Sequence, residues 1–181
     1  MRRRAILVVS LAVLVVLGGL SLLLVTRQPF SATSIPSPLL GRVAPDITGR
    51  EFGAAAYEGR HFSLAGERGH VVVVNFFASW CGPCQQEEAN LISFAWQQRS
   101  HGVAVLGVVF NDTLGAARAF DAKYGALYPS VDDPNGAFAF HYGVTSPPST
   151  FIIDARGRVA AELIGPVSVA QLDAVVARVT A

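Results

Sequence analysis

The architecture of this chain is set by residues 71–84, which read Val71-Val72-Val73-Val74-Asn75-Phe76-Phe77-Ala78-Ser79-Trp80-Cys81-Gly82-Pro83-Cys84. Four valines and two aromatic residues around Asn75 predict a strand that is buried on both faces. Pro83 suits the first turn of a helix, where a missing backbone N–H leaves no hydrogen bond unmade. The stretch therefore predicts a buried strand, a short turn and a helix that begins near Cys81.

This arrangement places Cys81 at the helix N-terminus and Cys84 one turn further along. The unpaired N–H groups and the positive end of the helix dipole favour a thiolate there over a thiol. In C-x-x-C motifs the cysteine pKa falls from about 8.5 to about 7 or below, and the thiolate is the attacking species in disulfide exchange. Cys84 lies close enough to attack a mixed disulfide formed at Cys81 and to release the product.

Two other interpretations of the cysteine pair are weaker. A structural disulfide across two residues closes a very small loop, which adds little stability. A zinc site needs further Cys or His ligands, and the sequence holds only these two cysteines. The four histidines are scattered along the chain and are expected in the core or on the surface: His61, His70, His101 and His141. We therefore expect neither a metal nor an organic cofactor.

Three segments together resemble one family of proteins. Trp80-Cys81-Gly82-Pro83-Cys84 matches the thioredoxin active-site motif letter for letter, and residues 142–151 resemble that family's pattern of a proline followed by a small polar residue, Thr and Phe. Residues 41–47 are similar to the corresponding segment of exported thioredoxin-like proteins and of peroxiredoxins. From Leu39 to Ala181 the chain resembles membrane-anchored extracytoplasmic thioredoxin-like proteins of the TlpA/ResA/DsbE (CcmG) type.

The resemblance implies an α/β thioredoxin fold: a central mixed sheet flanked by helices, an N-terminal β-hairpin extension and a βα insertion. The residues add detail. The helix after Cys84 is expected to reach Gln98 with Trp96 in the core, and Asp112 is expected to cap a helix over residues 113–124. Residues 49–61 contain three glycines and little periodicity, so we expect irregular structure there.

The resemblance also assigns roles near the cysteines. It implies a redox-active disulfide between Cys81 and Cys84, and a substrate groove shaped by Trp80 and by Pro148 as a cis-proline. In this fold the residue before the cis-proline pairs its backbone with the bound peptide. Here that residue is Pro147, which has no N–H to donate.

A third catalytic candidate is Glu87, which matches the glutamate that the family carries three positions after the second cysteine. Asn75 stands where cytoplasmic thioredoxin has a buried Asp, and an amide cannot accept a proton in that way. Glu87 is therefore the better candidate for proton handling. The sequence leaves open whether Glu87 or the adjacent Glu88 tunes the cysteines, because either residue can share a helical face with Cys84.

The N-terminal part predicts a membrane anchor. Residues 5–25 form an uncharged run of 21 residues, which is long enough to cross a bilayer, after a basic flank over residues 1–4. The arginines of that flank keep the N-terminus in the cytoplasm, so the catalytic domain is expected outside a single-pass cell-membrane anchor. The length favours this anchor over a cleaved signal peptide. A Pro/Ser-rich tether over residues 26–38 then leads to a thioredoxin-like domain over residues 39–181.

Charge excludes one class of partner. The formal charge is +1 for the whole chain and −3 without Arg2, Arg3, Arg4 and Arg27, so the exported part carries no basic footprint for nucleic acid. The resemblance implies protein thiol or disulfide substrates, with apocytochrome c as a candidate, and a membrane thiol–disulfide electron donor. It implies a reductase that serves cytochrome c maturation. Alternatives are a general periplasmic disulfide reductase or oxidase, a peroxiredoxin-like peroxidase or a copper-delivery protein.

Overall fold

The structure, a computed structural model, describes residues 12–21, 32–34 and 37–180. The chain divides into two units, Met1–Phe30 and Ser31–Ala181. In the first unit, residues 12–21 form helix α1 and are exposed. The predicted flank over residues 1–4 and the two ends of the predicted anchor over residues 5–25 lie outside the described residues. Among the residues that are described, no helix combines the length and the hydrophobicity that a bilayer span requires.

The second unit is built on a mixed sheet. Its described strands are β1 (Thr33–Ser34), β2 (Thr48–Gly53), β3 (His61–Ser63), β4 (Val71–Phe77), β5 (Val103–Val109), β6 (Pro129–Val131), β7 (Ser149–Ile153) and β8 (Val159–Ile164). They are arranged in the order β1-β8-β7-β4-β5-β6-β2-β3. The helices are α2 (Gly82–Gln98), α3 (Leu114–Tyr124), α4 (Ala137–Tyr142) and α5 (Val169–Thr180), with a short 3-10 helix over Leu64–Glu67.

Strand β4 lies at the centre of the sheet, as its sequence predicts. All seven of its residues are buried. It pairs in parallel with β5 and antiparallel with β7, so the predicted mixed sheet is confirmed. The parallel pairing places the C-terminal ends of β4 and β5 side by side, and the loop after β4 begins there with Ala78.

Alternation along β4 divides the core between the two faces of the sheet. Val73 and Phe77 pack on the side of α2, α3 and α5, which we call the α2 face. Val74 and Phe76 pack on the opposite side with Tyr142 of α4, which we call the α4 face. Both faces are therefore covered, as expected for a strand whose sequence is almost continuously apolar.

The N-terminal hairpin is present, but the expectation of irregular structure over residues 49–61 is wrong for the first part of that range. Strand β2 pairs antiparallel with β3 on one side and with β6 on the other. Two pairing partners hold this strand although its sequence has little apolar periodicity. Strand β1, which lies within the predicted tether, pairs antiparallel with β8 at the other edge of the sheet.

Two predictions about helices are also corrected. Thr113, rather than Asp112, caps α3, because its side chain accepts a hydrogen bond from the backbone N–H of Ala116. Trp96 is 56% exposed instead of lying in the core. The guanidinium of Arg99 stacks on its ring at 3.7 Å. The buried residues of α2 are Cys84, Glu87, Glu88, Leu91 and Phe94, so the helix turns Trp96 outward.

Candidate functional site

The cysteine pair lies at the N-terminal end of α2. Cys81 is the N-cap residue, and its sulfur accepts a hydrogen bond of 3.1 Å from the backbone N–H of Cys84. The two cysteines form a disulfide, with their Cα atoms 5.2 Å apart. Cys81 is 4% exposed and Cys84 is 1% exposed. The sulfur of the N-cap residue is thus the one that meets the helix N–H groups, and its partner is buried beneath it.

The turn before the disulfide is fixed by hydrogen bonds. The backbone N–H of Ser79 donates to Asp112 Oδ2 at 2.7 Å. The indole Nε1 of Trp80 donates to the carbonyl of Asn111 at 3.2 Å, and the side chain is 57% exposed. Asp112 therefore ties the loop after β5 to the cysteine turn, a role that the sequence did not indicate. Trp80 is left as an exposed aromatic surface beside Cys81.

Pro148 lies beside the C-terminal end of β4. Phe76, near the end of β4, pairs with Ser149, the residue that follows Pro148. The peptide bond between Pro147 and Pro148 is cis, as predicted. The Pro148 carbonyl accepts a hydrogen bond from the backbone N–H of Gly165 at 3.0 Å. Its carbonyl is thus already used within the fold, and Pro147 offers no N–H to a peptide bound beside it.

Glu87 lies on the buried side of α2 and is 1% exposed. Its Oε1 accepts a hydrogen bond of 2.8 Å from the Asn75 side-chain amide, and its Oε2 accepts one of 2.7 Å from the backbone N–H of Val167. Burial raises the pKa of Glu87 to about 8, although these two donors favour the ionised form. Asn75 and Glu87, which the sequence analysis named separately, are therefore in direct contact.

Glu88 is also buried, at 2% exposure, beside a second set of polar groups. The hydroxyl of Tyr128 donates to Glu88 Oε1 at 2.7 Å. Burial and, to a smaller extent, the nearby Asp121 carboxylate raise the pKa of Glu88 to about 7, although the Tyr128 hydroxyl lowers it. Asp121 of α3 is 3% exposed, and its own pKa is raised to about 7, also by burial.

Sequence reasoning left Glu88 undecided and missed Asp121, Tyr128 and Ser130. Among the described residues, Asp121 Oδ2 and the Ser130 hydroxyl are buried without a hydrogen bond of standard geometry. The available signal was weak: Asp121 sits beside Phe120 on the buried side of α3, where an apolar residue is usual. The residues come from separate segments, and only the fold brings them together.

This arrangement can exchange disulfides and move protons. Cys81 is the less buried of the two cysteines and lies at the helix tip, so a thiolate there is the one that can meet another sulfur beside Trp80 and Pro148. Cys84 is deeply buried, so the proton that its sulfur gains or loses must come from nearby groups. Two carboxyls lie three and four residues further along the same helix: Glu87, with a pKa of about 8, and Glu88, with a pKa of about 7. In the described residues, no cluster of three or more Cys, His, Asp or Glu side chains could hold a metal ion.

Comparison with known proteins agrees with this chemistry. Residues 40–162 match the model of the AhpC/TSA family. The chain is 34% identical over 143 residues to the thiol:disulfide interchange protein HelX of Rhodobacter capsulatus, covering 78% of this chain and 77% of that protein. It is 38% identical over 136 residues to the thiol:disulfide interchange protein DsbE of Allochromatium vinosum, covering 74% and 71%.

Comparison with solved structures leads to the same group of proteins. A solved structure of a thiol:disulfide interchange protein of the thioredoxin family from Chlorobium tepidum superimposes with a TM-score of 0.63 and 27% sequence identity. The match covers 76% of this chain and 99% of that structure. The α/β architecture inferred from the residues around the cysteines is therefore the architecture of a known thioredoxin-like structure.

Proposed function

This chain belongs to the AhpC/TSA family as a thiol–disulfide oxidoreductase, and we propose that it acts as a reductase of protein disulfides outside the cytoplasmic membrane. One observation carries the proposal: the Cys81–Cys84 disulfide lies at the tip of α2, with Trp80 exposed beside it. An incoming thiolate attacks Cys81, and Cys84 leaves. In the reverse direction, Cys81 attacks a substrate disulfide and Cys84 resolves the mixed disulfide.

The reducing direction is supported by the dipeptide between the cysteines. Gly82 and Pro83 are the residues of thioredoxin, whose potential is about −270 mV, whereas the strong oxidant DsbA lies near about −120 mV. We expect the potential of the Cys81–Cys84 pair to lie closer to the former value. Equilibration of the full chain with glutathione or dithiothreitol buffers measures it. A potential near that of DsbA would instead identify an oxidase.

The proposed substrate is the cysteine pair of an apocytochrome c before haem attachment, and the proposed electron source is a membrane thiol–disulfide transporter. The relatives named above are interchange proteins, which supports a protein substrate in general terms. The uncharged run over residues 5–25 supports membrane insertion with the catalytic unit outside. Protease protection of the full chain in intact and lysed cells tests that topology, and N-terminal sequencing tests whether the run is retained.

Trapping with Cys84→Ala identifies the substrate. Without Cys84 the mixed disulfide at Cys81 cannot be resolved, so it accumulates. We expect apocytochrome c, linked through a cysteine of its haem-attachment site, among the trapped proteins. The matched control is the Cys81→Ala/Cys84→Ala double variant, which must trap nothing. If other exported proteins accumulate and c-type apocytochromes do not, the substrate is wrong and general exported disulfide reduction remains.

The peroxidase alternative shares the family and the residues Ala44-Pro45-Asp46 with this chain. A peroxiredoxin carries Thr or Ser three residues before its reactive cysteine, and Ala78 occupies that place. A copper-delivery protein needs a longer cysteine spacing and a distal histidine. Peroxide consumption and copper titration of the full chain test these two functions, and we expect neither activity.

A further inference from the structure

The two carboxyls that follow Cys84 lie in different surroundings. Both oxygens of Glu87 accept hydrogen bonds from N–H groups, one of the Asn75 amide and one of the Val167 backbone. An N–H group donates and cannot accept, so neither of these two partners can accept a hydrogen bond from the O–H of a protonated Glu87. Glu87 is therefore held in place by two donors, and these contacts give the proton of its acid form no partner.

Glu88 has a partner that can serve both protonation states. The Tyr128 hydroxyl lies 2.7 Å from Glu88 Oε1. A hydroxyl can donate to a carboxylate and, after rotation, accept from a carboxylic acid. The contact therefore survives gain or loss of the Glu88 proton. This difference in hydrogen-bond chemistry separates the two adjacent glutamates.

Glu88 is a helical neighbour of the buried cysteine. It lies four residues after Cys84 on α2, and residues with this spacing are neighbours on one side of a helix. Both side chains are buried on the α2 face, where Cys84 packs against Phe120 of α3. The following residue of α3 is Asp121, whose charge acts on Glu88.

We infer that Glu88, held by the Tyr128 hydroxyl, is the residue that takes the proton from Cys84 when its thiol attacks a mixed disulfide and returns that proton when its thiolate leaves. The inference deepens the thiol–disulfide exchange described above and rests on it. Glu87 is then a positioning residue that ties α2 to β4 and to the segment before α5. Glu88 is the second carboxyl that the sequence left undecided.

Atoms and charges balance in this step. In the resolving direction, the Glu88 carboxylate accepts the Cys84 proton, and the resulting thiolate attacks the sulfur of Cys81. The Cys81–substrate bond breaks, the Cys81–Cys84 bond forms, and the substrate sulfur leaves with the electron pair. In the opposite direction, a donor thiolate attacks Cys81, Cys84 leaves as a thiolate, and the Glu88 carboxylic acid protonates it.

Other groups near Glu88 set the pH range of the step. From its own helix the titratable neighbour is Glu87, from α3 it is Asp121, and from the segment before β6 it is Tyr128. Arg118 on α3 lowers the pKa of Asp121 through its charge. The nearby residues of β4 and β5 on this face, Asn75 and Gly107, carry no titratable group. The carboxyls therefore dominate, and the step is expected to change near neutral pH.

Stopped-flow reaction of the reduced full chain with dithiobis-nitrobenzoate tests the inference. Cys81 attack releases the first nitrothiobenzoate, and Cys84 attack on the resulting mixed disulfide releases the second. The rate of the second release is measured from pH 5 to pH 9 for the native chain, Glu88→Gln and Tyr128→Phe. The matched control is Glu51→Gln, which makes the same change at a buried glutamate on β2.

We expect Glu88→Gln to slow the second release at pH 7.5 by at least about tenfold and to remove the inflection near pH 7 from its pH profile. Tyr128→Phe should shift that inflection, and Glu51→Gln should change neither quantity. An unchanged inflection in Glu88→Gln overturns the inference, even if the rate falls, because a structural defect alone leaves the inflection in place. If Glu88→Gln does not fold, Tyr128→Phe provides the test: a shifted inflection supports the inference, and an unshifted inflection overturns it. A native chain that releases no second nitrothiobenzoate refutes the exchange function instead.

Discussion

The two faces of the central sheet are built from the same strands but hold different cores. On the α4 face, the rings of Phe76, Tyr142 and Phe151 pack with centroids 4.9–5.9 Å apart. On the α2 face, Asn75 takes the β4 position between Val73 and Phe77 and donates a hydrogen bond to the buried Glu87. The adjacent Glu88 is also buried and accepts a hydrogen bond from Tyr128. Ring packing of this kind stabilises a fold, whereas buried carboxyls near the cysteines cost stability and supply protons. The carboxyls near the cysteines thus lie on the α2 face, across the sheet from the aromatic cluster of the α4 face.

The largest expected effect is a loss of stability with rising pH, caused by the α2 face. The pKa values of Glu87, Glu88 and Asp121 are about 8, 7 and 7 in the folded protein, above their ordinary values. Between about pH 4.5 and pH 8 the folded state therefore binds more protons than the unfolded state, so the free energy of unfolding falls as pH rises. Independent titration of the three groups would correspond to about 12 kcal/mol. Because Glu88 interacts with both Glu87 and Asp121, the three contributions overlap, and we expect a smaller decrease, on the order of 5 kcal/mol, measured by urea unfolding at fixed pH values.

Glu87→Gln sharpens that prediction. Removal of its titration should flatten the dependence of stability on pH, most clearly between pH 6 and pH 8. The Gln side chain also places an amide N–H2 where Glu87 accepted from Asn75 or Val167, so some stability is lost at every pH. An undiminished slope in this variant would show that Glu87 already ionises at its ordinary pKa.

The next largest effect belongs to the α4 face. Phe151 is fully buried between Phe76 and Tyr142, and Phe151→Ala should reduce the free energy of unfolding by about 3–5 kcal/mol. Its effect should be nearly the same at pH 5 and pH 8, because the ring lies on the opposite face of the sheet from Glu87, Glu88 and Asp121. Phe151→Leu is the control and should lose less. A Phe151→Ala variant whose loss of stability varies with pH would contradict the separation of the two faces.

A smaller effect is expected at Pro147 and Pro148, which lie beside the C-terminal end of β4. Pro147→Ala restores a backbone N–H next to Pro148, which a bound peptide can then use. We expect the noncovalent affinity for a substrate peptide to rise by about 2–10-fold, which corresponds to one ordinary hydrogen bond. Isothermal titration with a substrate-derived peptide lacking cysteine measures this change. Unchanged affinity would show that the peptide backbone does not pair at this position.

The sequence predicted the central elements because their signals are local. Continuous apolar residues define β4, and Pro83 after Cys81 marks the start of α2. Strand β2 was missed because its structure comes from pairing with β3 and β6, which no local pattern encodes. Trp96 was placed in the core because the apolar residues of α2 are spread around the helix, and packing decides which of them are covered.

The polar groups of the α2 face could be predicted only in part. Glu87 and Pro148 were found through the family resemblance: Glu87 matches the family's glutamate three positions after the second cysteine, and Pro148 matches its proline before a small polar residue, Thr and Phe. Glu88 and Tyr128 are 40 residues apart in the chain, and Asp121 reaches the same region from a third element. Their contacts depend on how α3 and β6 pack beside α2, so the fold had to be known before the cluster could be recognised.

The account depends most on the unequal roles of the two cysteines, and alkylation of the reduced full chain tests this directly. With limiting iodoacetamide at pH 7, followed by mass spectrometry, we predict that Cys81 is modified well before Cys84 and that disulfide exchange is lost in step with Cys81 modification. Cys81 lies at the helix N-terminus, whereas Cys84 is buried beneath it. Equal modification of the two cysteines, or exchange that persists after Cys81 is blocked, would contradict the account.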